Sequence, residues 1–314
     1  MAIEVKYRFV FDLFMKGTVP PMYKAPIKNK LTNKSLPITI NQADFKNIKL
    51  VTVWDIPEYI DVPEAPLSKN ISRRKIRQYK GFLINLTGSK SVDDYLLKQL
   101  SARNRKKLRS KKKRLEADHN IEYCFFYGKM ERAAYDKLFS QFAALLEKRF
   151  DEKRVHNNNL HNWHYYQELV YPLLLKKRAS LFVIYDKEQP INIALHFHLE
   201  DTVFSYVQTY DIAYSDYNMG DISMLKRLEL FFRLGIKTID LSMGTTDYKI
   251  KWCNYPYHLY FHLFYKKNNL ISWSKMITTA YKLRLKQYLR DKDILGKRFR
   301  LDKLRYRLKG ASSA

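Results

Sequence analysis

Residues 204–252, FSYVQTYDIAYSDYNMGDISMLKRLELFFRLGIKTIDLSMGTTDYKIKW, decide the fold of this chain. Phe204 to Asp211 is rich in aromatic and β-branched residues, the composition of a pleated, half-buried strand. Asn218-Met219-Gly220-Asp221 is turn chemistry, and Asp221 or Ser223 is placed to cap the helix that follows. Ile222, Leu225, Leu228 and Phe232 recur at three- and four-residue spacing, which predicts one apolar helix face. Gly235 supplies a left-handed residue to end that helix. Ile239 and Leu241 then alternate with Thr238, Asp240 and Ser242, as a strand with two different faces requires. A glycine-led loop carrying Asp247-Tyr248-Lys249 comes last. A strand–helix–strand unit of this length predicts a right-handed crossover between neighbouring parallel strands. Ligands of such sheets bind beyond the carboxyl ends of the strands, near the helix N-terminus.

Upstream, Leu181–Tyr185 and Ile191–Leu199 read as a hairpin about Asp186 to Pro190. On its second strand Ile191, Ile193, Leu195 and Phe197 take one face; Asn192, Ala194, His196, His198 and Glu200 take the other. His196 and His198 there read either as site residues or as part of a polar face. Helices are expected over Glu131 to about Lys153 and Leu160 to about Lys177, the second interrupted by Pro172. A longer one should open at Ser91 or Asp93 and run to about Ala117. The first seventy residues hold a strand candidate at Ile48–Trp54 and no motif. Tyr79–Leu86 and Tyr257–Tyr265 read as strands. From Ile271 a basic helix follows with Trp273, Met276, Ile277 and Tyr281 along one side, the pattern of an interfacial helix or of a terminal helix packed on the domain.

The chain's 314 residues, 46% hydrophobic and 15% aromatic, suffice for a core, which excludes a disordered polymer. The formal charge of +27 is local: Arg103–Arg114 holds nine bases and no acid, and Ile271–Ala314 holds thirteen bases against three acids. Such excess points to an anionic partner: nucleic acid, lipid headgroups or a phosphorylated ligand. Two cysteines argue against a disulfide scaffold and fit a reducing compartment. No apolar run approaches a membrane span, and Lys6, Arg8 and Asp12 interrupt any signal-peptide core. A cytoplasmic protein, peripheral on the inner face of a membrane, is the expectation. His156, His161 and His164 lack a cysteine or carboxylate at supporting spacing, so no metal site is expected.

The run Tyr210–Gly220, with Leu234-Gly235-Ile236, Asp240-Leu241, Gly244 and Asp247-Tyr248-Lys249, resembles the second half of a GNAT-like acyltransferase domain. The subgroup is that of bacterial envelope and polysaccharide proteins, related to the FemAB aminoacyl transferases. Leu100-Ser101 with Arg103, Arg105-Lys106 and Leu108-Arg109 is similar to the basic helix that opens this domain, and Gln189–Ala194 to its central hairpin. The likeness spans Tyr79 to Phe264. It implies an α/β fold with a mixed sheet, a GNAT-like domain over 79–270, a degenerate first lobe of the FemAB kind over 1–78, and a basic tail over 271–314.

The resemblance further implies transfer of an acyl group from acyl-CoA, acetyl-CoA included, to an amine of an envelope or sugar precursor. Such a reaction needs backbone to hold the pantetheine arm, N–H groups for the pyrophosphate, and a proton donor for the leaving thiolate. Gln208 and Tyr210 would serve the first need; Asn218, Met219, Gly220, Asp221, Ile222 and Ser223 the second. Tyr248 is the expected acid, Lys249 an oxyanion or phosphate partner, and His198 a base. Trp163, Tyr166, His196, Gly244 and Asp247 would line the acceptor side, although aromatics at helical spacing also read as core. Asp240, if buried, needs a partner such as Lys249 or Lys251. The turn carries one glycine and an acid where a phosphate site of this family has several glycines. That leaves a FemAB-like aminoacyl-tRNA donor open, and equally a non-catalytic nucleic-acid-binding module on this fold.

Overall fold

The computed structural model describes residues 3–42, 48–295 and 306. Strands form on the β-branched and aromatic runs of the first ninety residues, and the Pro- and Gly-bearing breaks separate them. They are β1 (Ile3–Arg8), β2 (Thr18–Val19), β3 (Lys28–Asn29), β4 (Thr39–Ile40), β5 (Ile48–Pro57), β6 (Ile60–Asp61) and β7 (Ile71–Asn85), with a helical turn α1 (Phe9–Phe11) after β1. Next come α2 (Val92–Gln99), α3 (Ala102–Asp118), β8 (Ile121–Phe126), α4 (Arg132–Glu152), α5 (Asn158–His161) and α6 (Trp163–Leu175). The expected hairpin is β9 (Ala179–Asp186) with β10 (Gln189–Leu199). The deciding stretch forms β11 (Thr202–Tyr210), α7 (Met219–Arg233), β12 (Thr238–Met243) and α8 (Asp247–Trp252). The chain continues through β13 (Tyr255–Lys266) and α9 (Leu270–Asp291). None of these helices is long and apolar enough to cross a membrane.

Four differences from the sequence reading have local causes. The long helix after residue 90 is two helices, because the Ser101 side chain accepts from the Asn104 N–H and starts a new one. β7 begins at Ile71 rather than Tyr79, since Ile71–Tyr79 pairs antiparallel with β13 despite its arginines. α7 begins at Met219, with Asn218 in the left-handed conformation as its N-cap residue, so neither Asp221 nor Ser223 opens it. The Asp247-Tyr248-Lys249 loop is the helix α8, started by Thr246, whose side chain accepts from the Lys249 N–H. Pro172 lies inside α6 without ending it.

The chain divides into two compact units made of interleaved rather than consecutive segments. One holds residues 3–87, 199–201 and 240–295 of the described chain; the other holds 88–198, 202–239 and 306. In the first, strands lie in the order β1-β5-β13-β7. β1 runs parallel to β5, and β13 antiparallel to both β5 and β7, so the sheet is mixed. Phe9, Leu13, Phe14, Ile27, Tyr59 and Leu263 are fully or almost fully buried in it. α9 closes on the sheet through Met276 and Ala280, which join Leu50, Ile76 and Leu263 in one cluster.

In the second unit the order is β11-β10-β9-β8, with β10 and β8 each antiparallel to β9. Both faces of β10 are buried: Ile191, Ile193 and Phe197 on one, Asn192, Ala194 and His196 on the other. Strand residues covered on both faces read as a nearly continuous buried run, which hides the alternation expected of a half-exposed strand. β11 and β12 start from the same edge, where the Thr238 hydroxyl donates to the Thr202 hydroxyl at 2.9 Å. Gly235, at φ 72°, ends α7 between them as its sequence predicts.

Candidate functional site

α7 lies over β10 and carries Arg227, which is only 1% exposed. Its guanidinium donates to His196 Nε2 at 3.0 Å, Ser205 Oγ at 3.2 Å and Gln208 Oε1 at 2.7 Å, and its Nε donates to the Ser223 carbonyl. An arginine has no acceptor to offer, so His196 must present a bare Nε2 and keep its proton on Nδ1. Nδ1 faces Ser180 Oγ at 3.5 Å, and Ser180 Oγ in turn lies within hydrogen-bond distance of His198 Nε2 at 2.7 Å. Burial, then the Arg227 charge, hold the His196 pKa far below the ordinary histidine value. Burial alone pulls His198 down to about 3.

His198 therefore makes a poor base at neutral pH. Its ring lies 4.8 Å from Tyr127 and 6.0 Å from Phe231, centroid to centroid, among core side chains. The expected acceptor residues Trp163 and Tyr166 also pack inward. Trp163 donates to the Phe139 carbonyl at 3.1 Å and packs tilted on the Phe139 ring and edge-to-face with Phe142, and Tyr166 meets Tyr206.

The residues expected to hold the donor line the end of β11 and the start of α7. Gln208 is fixed twice, by Arg227 through its side chain and by Arg149 through its carbonyl at 3.4 Å. The same Arg149 lies over the Tyr210 ring, 4.2 Å from its centroid. Asn218, Gly220 and Asp221 are partly exposed, whereas Met219, Ile222 and Ser223 are buried. The Asp221 and Ile222 N–H groups both reach the Asn218 carbonyl.

The basic helix α3 packs against this turn. Lys111 Nζ donates to the Asp216 carbonyl at 2.5 Å, and the Arg114 guanidinium covers the Tyr217 ring at 4.5 Å. Tyr217 donates to Asp118, and His119 bridges Tyr217 and Asp186. Further along α3, Arg105, Lys106, Arg109 and Lys113 line one shallow groove. Nothing local in the sequence joins residue 111 to residue 216; the packing does.

Tyr248, Lys249, Gly244 and Asp247 belong to the first unit. There Asp240 is fully buried and accepts from Tyr257 OH at 2.7 Å, from Tyr59 OH at 2.8 Å and from the Ser242 N–H at 2.6 Å. Burial raises its pKa; the two phenols and the amide oppose that. The hydrogen-bond partners are thus tyrosines rather than the lysines the sequence suggested. Lys249 turns its ammonium to the Ser242 and Met243 carbonyls at 3.3 and 2.5 Å. Burial pulls its pKa down, against the pull of the Asp240 charge.

Ser242 and Gly244 both have positive φ, 64° and 92°, so the chain leaving β12 is a tight turn pinned by Asp240 and Lys249. Half-buried Tyr248 follows on α8. Gly244, Thr245 and Asp247 border an open cleft of about 1160 Å³ whose other walls include Arg77, Lys80 and Arg290.

Gly81 belongs to this arrangement. It stands opposite Tyr257 in the β7–β13 ladder, and a Cβ there would come within 2.2 Å of the Tyr257 ring. Gly81→Ala is therefore expected to push the ring off Asp240 and cost about 1–3 kcal/mol, the range for overpacking a core. Urea denaturation would measure it, and a wild-type midpoint would show that the ring shifts freely. The sequence reading missed Arg227, Tyr59 and Gly81. Only Arg227 left a signal: Ser223, Arg227 and Phe231 are four residues apart on a helix whose neighbouring positions are apolar.

The description "Acetyltransferase (GNAT) domain" matches residues 102–250, from the first residue of α3 into α8. No curated protein matches the sequence. Among solved structures, FemX is similar over 69% of this chain and 72% of its own, at 11% identity and a TM-score of 0.50. A conserved protein of unknown function from Bacteroides thetaiotaomicron is similar over 70% and 71%, at 12% identity and 0.46. L-PGS from Bacillus licheniformis is similar over 76% and 74%, at 10% identity and 0.45. At 11% identity the likeness to FemX is one of fold. Residues 102–250, which hold the basic opening helix and the β11–α7–β12 unit, thus form a GNAT acetyltransferase domain, and the chain is an acyltransferase.

Proposed function

We propose that this acyltransferase moves an acyl group from acyl-CoA to an amine of an envelope or polysaccharide precursor. The observation that carries the reading is the packing of α3 on the turn before α7, through Lys111 on the Asp216 carbonyl and Arg114 on Tyr217. That contact sets a row of cations beside a helix N-terminus, an arrangement that favours the phosphates of a coenzyme A handle. Backbone of Tyr206–Asp211 would hold the pantetheine arm, and Gly220 would admit the pyrophosphate. Tyr248 would donate its phenolic proton to the leaving thiolate. Lys249 would act by fixing the Ser242–Gly244 turn, while Gly244 and Asp247 would face the amine. His196 and His198 enter this scheme as packing for the strand that backs the site.

The reading is tested by thermal stabilisation and by turnover. Acetyl-CoA at about 100 times its Kd should add about 2.7 kcal/mol of stability. Tyr248→Phe should cut kcat about 100-fold while that stabilisation stays. A Tyr248→Phe enzyme with full kcat would remove the phenol from the chemistry. The α3 groove of Arg105, Lys106, Arg109 and Lys113 favours a second reading, an aminoacyl-tRNA donor. Stabilisation by charged tRNA but not by acyl-CoA, with transfer of the aminoacyl group, would select it. Salt-sensitive nucleic-acid binding with no transfer from either donor would leave only a binding module.

A further inference from the structure

α9 presents three faces. One is packed on the first unit's sheet through Met276 and Ala280, with Leu283 beside them. Ser272 anchors the start of the helix through the Lys49 carbonyl and the Lys266 N–H, and Lys275 is paired with Glu4 at 2.7 Å. Roughly 120° around the helix lies a row that no described residue covers: Leu270 (85% exposed), Trp273 (50%), Ile277 (37%), Tyr281 (67%), Leu285 (44%) and Tyr288 (57%). Their spacing of three and four residues puts them on one line of about 27 Å at 1.5 Å per residue. Six large apolar side chains in line are an interaction surface rather than scattered exposure.

Composition and charge choose the occupant. Trp273, Tyr281 and Tyr288 each carry an apolar ring with a polar edge, which suits the boundary between headgroups and acyl chains. From Leu270 to Arg290 the helix has no acid, and Lys282, Arg284 and Lys286 flank the row as exposed cations. Two copies meeting along this row would bring those cations together on chains that each carry a formal +27, an arrangement that repels. An anionic bilayer satisfies both features at once: phosphates for the cations and acyl chains for the row.

We propose that α9 docks this protein on an anionic membrane surface, with the Leu270–Tyr288 row lying at the headgroup–acyl boundary. The inference does not depend on the acyl-transfer reading, because vesicle binding is measured without turnover. It would place the cleft bordered by Arg77, Arg290 and Gly244, which adjoins the C-terminal end of α9, close to lipid-borne amines.

The test is co-flotation of the full chain with vesicles of phosphatidylcholine alone or with about a third phosphatidylglycerol. Partitioning onto the anionic vesicles should be about 100-fold stronger. Replacing Trp273, Ile277 and Tyr281 together by Ser should weaken it at least about tenfold with the fold retained by circular dichroism, since none of the three belongs to the packed cluster of Met276 and Ala280. Lys282→Glu with Lys286→Glu should abolish the preference for anionic lipid. Failure to bind anionic vesicles, or binding unchanged in the triple Ser variant, would overturn the proposal. So would a dimer in sedimentation that the triple variant converts to monomer, which would assign the row to a second copy. Binding of homopolymeric RNA that competes with vesicles and is weakened equally by the triple Ser variant would overturn it as well.

Discussion

Arg227→Ala is expected to destabilise the second unit by about 4 kcal/mol. The guanidinium is the shared donor of a closed network. Without it His196 Nε2 loses its bond in a fully buried place, and Gln208 Oε1 and Ser205 Oγ lose theirs at partly buried ones. An unsatisfied buried acceptor costs about 1–3 kcal/mol, and the vacated space between α7 and β10 adds to it. The contributions overlap, because the three acceptors can relax toward one another, so the total falls below their sum.

Arg227→Met separates the parts. It keeps most of the volume and removes every donor, and about half of the loss should remain. Urea midpoints with an unchanged m-value would measure both variants. An Arg227→Met protein at least as stable as wild type would show that the network is a burden on folding, as some buried charges are. Arg227 would then have to be explained by what it does to Gln208 at the donor end of β11.

How legible these features were follows from how local their causes are. β11, α7 and β12 could be read because the hydrophobic period switches from two to 3.6 and back within the quoted stretch, with Asn218 and Gly235 at the joints. In α7 Ile222, Leu225 and Leu228 are buried as read, but the buried face is broader than one apolar stripe: it takes in Phe231 rather than Phe232, and Arg227 as well. Asp240 could be seen to need a partner. Its partners Tyr59 and Tyr257 stand 181 and 17 residues away in sequence, and only the meeting of strands far apart in the chain brings them together. Likewise, the nine bases of α3 announced an anionic partner, while their position against Asp216 and Tyr217 depended on packing. Residues 296–305 and 307–314 of the basic tail lie outside the described residues.

Between pH 7.5 and 5.0 the second unit should lose about 4 kcal/mol of stability while the first changes by less than about 1 kcal/mol. His196 and His198 are held neutral in the folded state, by burial and, for His196, by Arg227 as well. Once unfolded, both titrate near 6.5, so below that pH only the unfolded chain takes up their protons. Their contribution is complete above about 6.5 and falls with pH toward the folded value, about 3 for His198. Two such groups give a slope of about 2.7 kcal/mol per pH unit, or about 4 kcal/mol by pH 5.0.

In the first unit His262 behaves the same way, its pKa pushed down to about 3 by burial. Asp55 opposes it. Burial raises that carboxyl to about 6, so its contribution is full below the unfolded value of 3.8 and is lost as pH rises through 6. Acidification to pH 5.0 restores about 1.4 kcal/mol through Asp55 and removes about 2 through His262. Asp240, also raised by burial, adds to the restoring side. Hydrogen exchange resolved by segment, corrected for the intrinsic pH dependence of exchange, measures the difference directly. Amides of β9 and β10 should lose protection by pH 5.0 while those of β13 keep theirs. Equal losses in the two sets, or a β10 whose protection does not move, would mean that the paired histidines are not the groups that tie this fold to neutral pH.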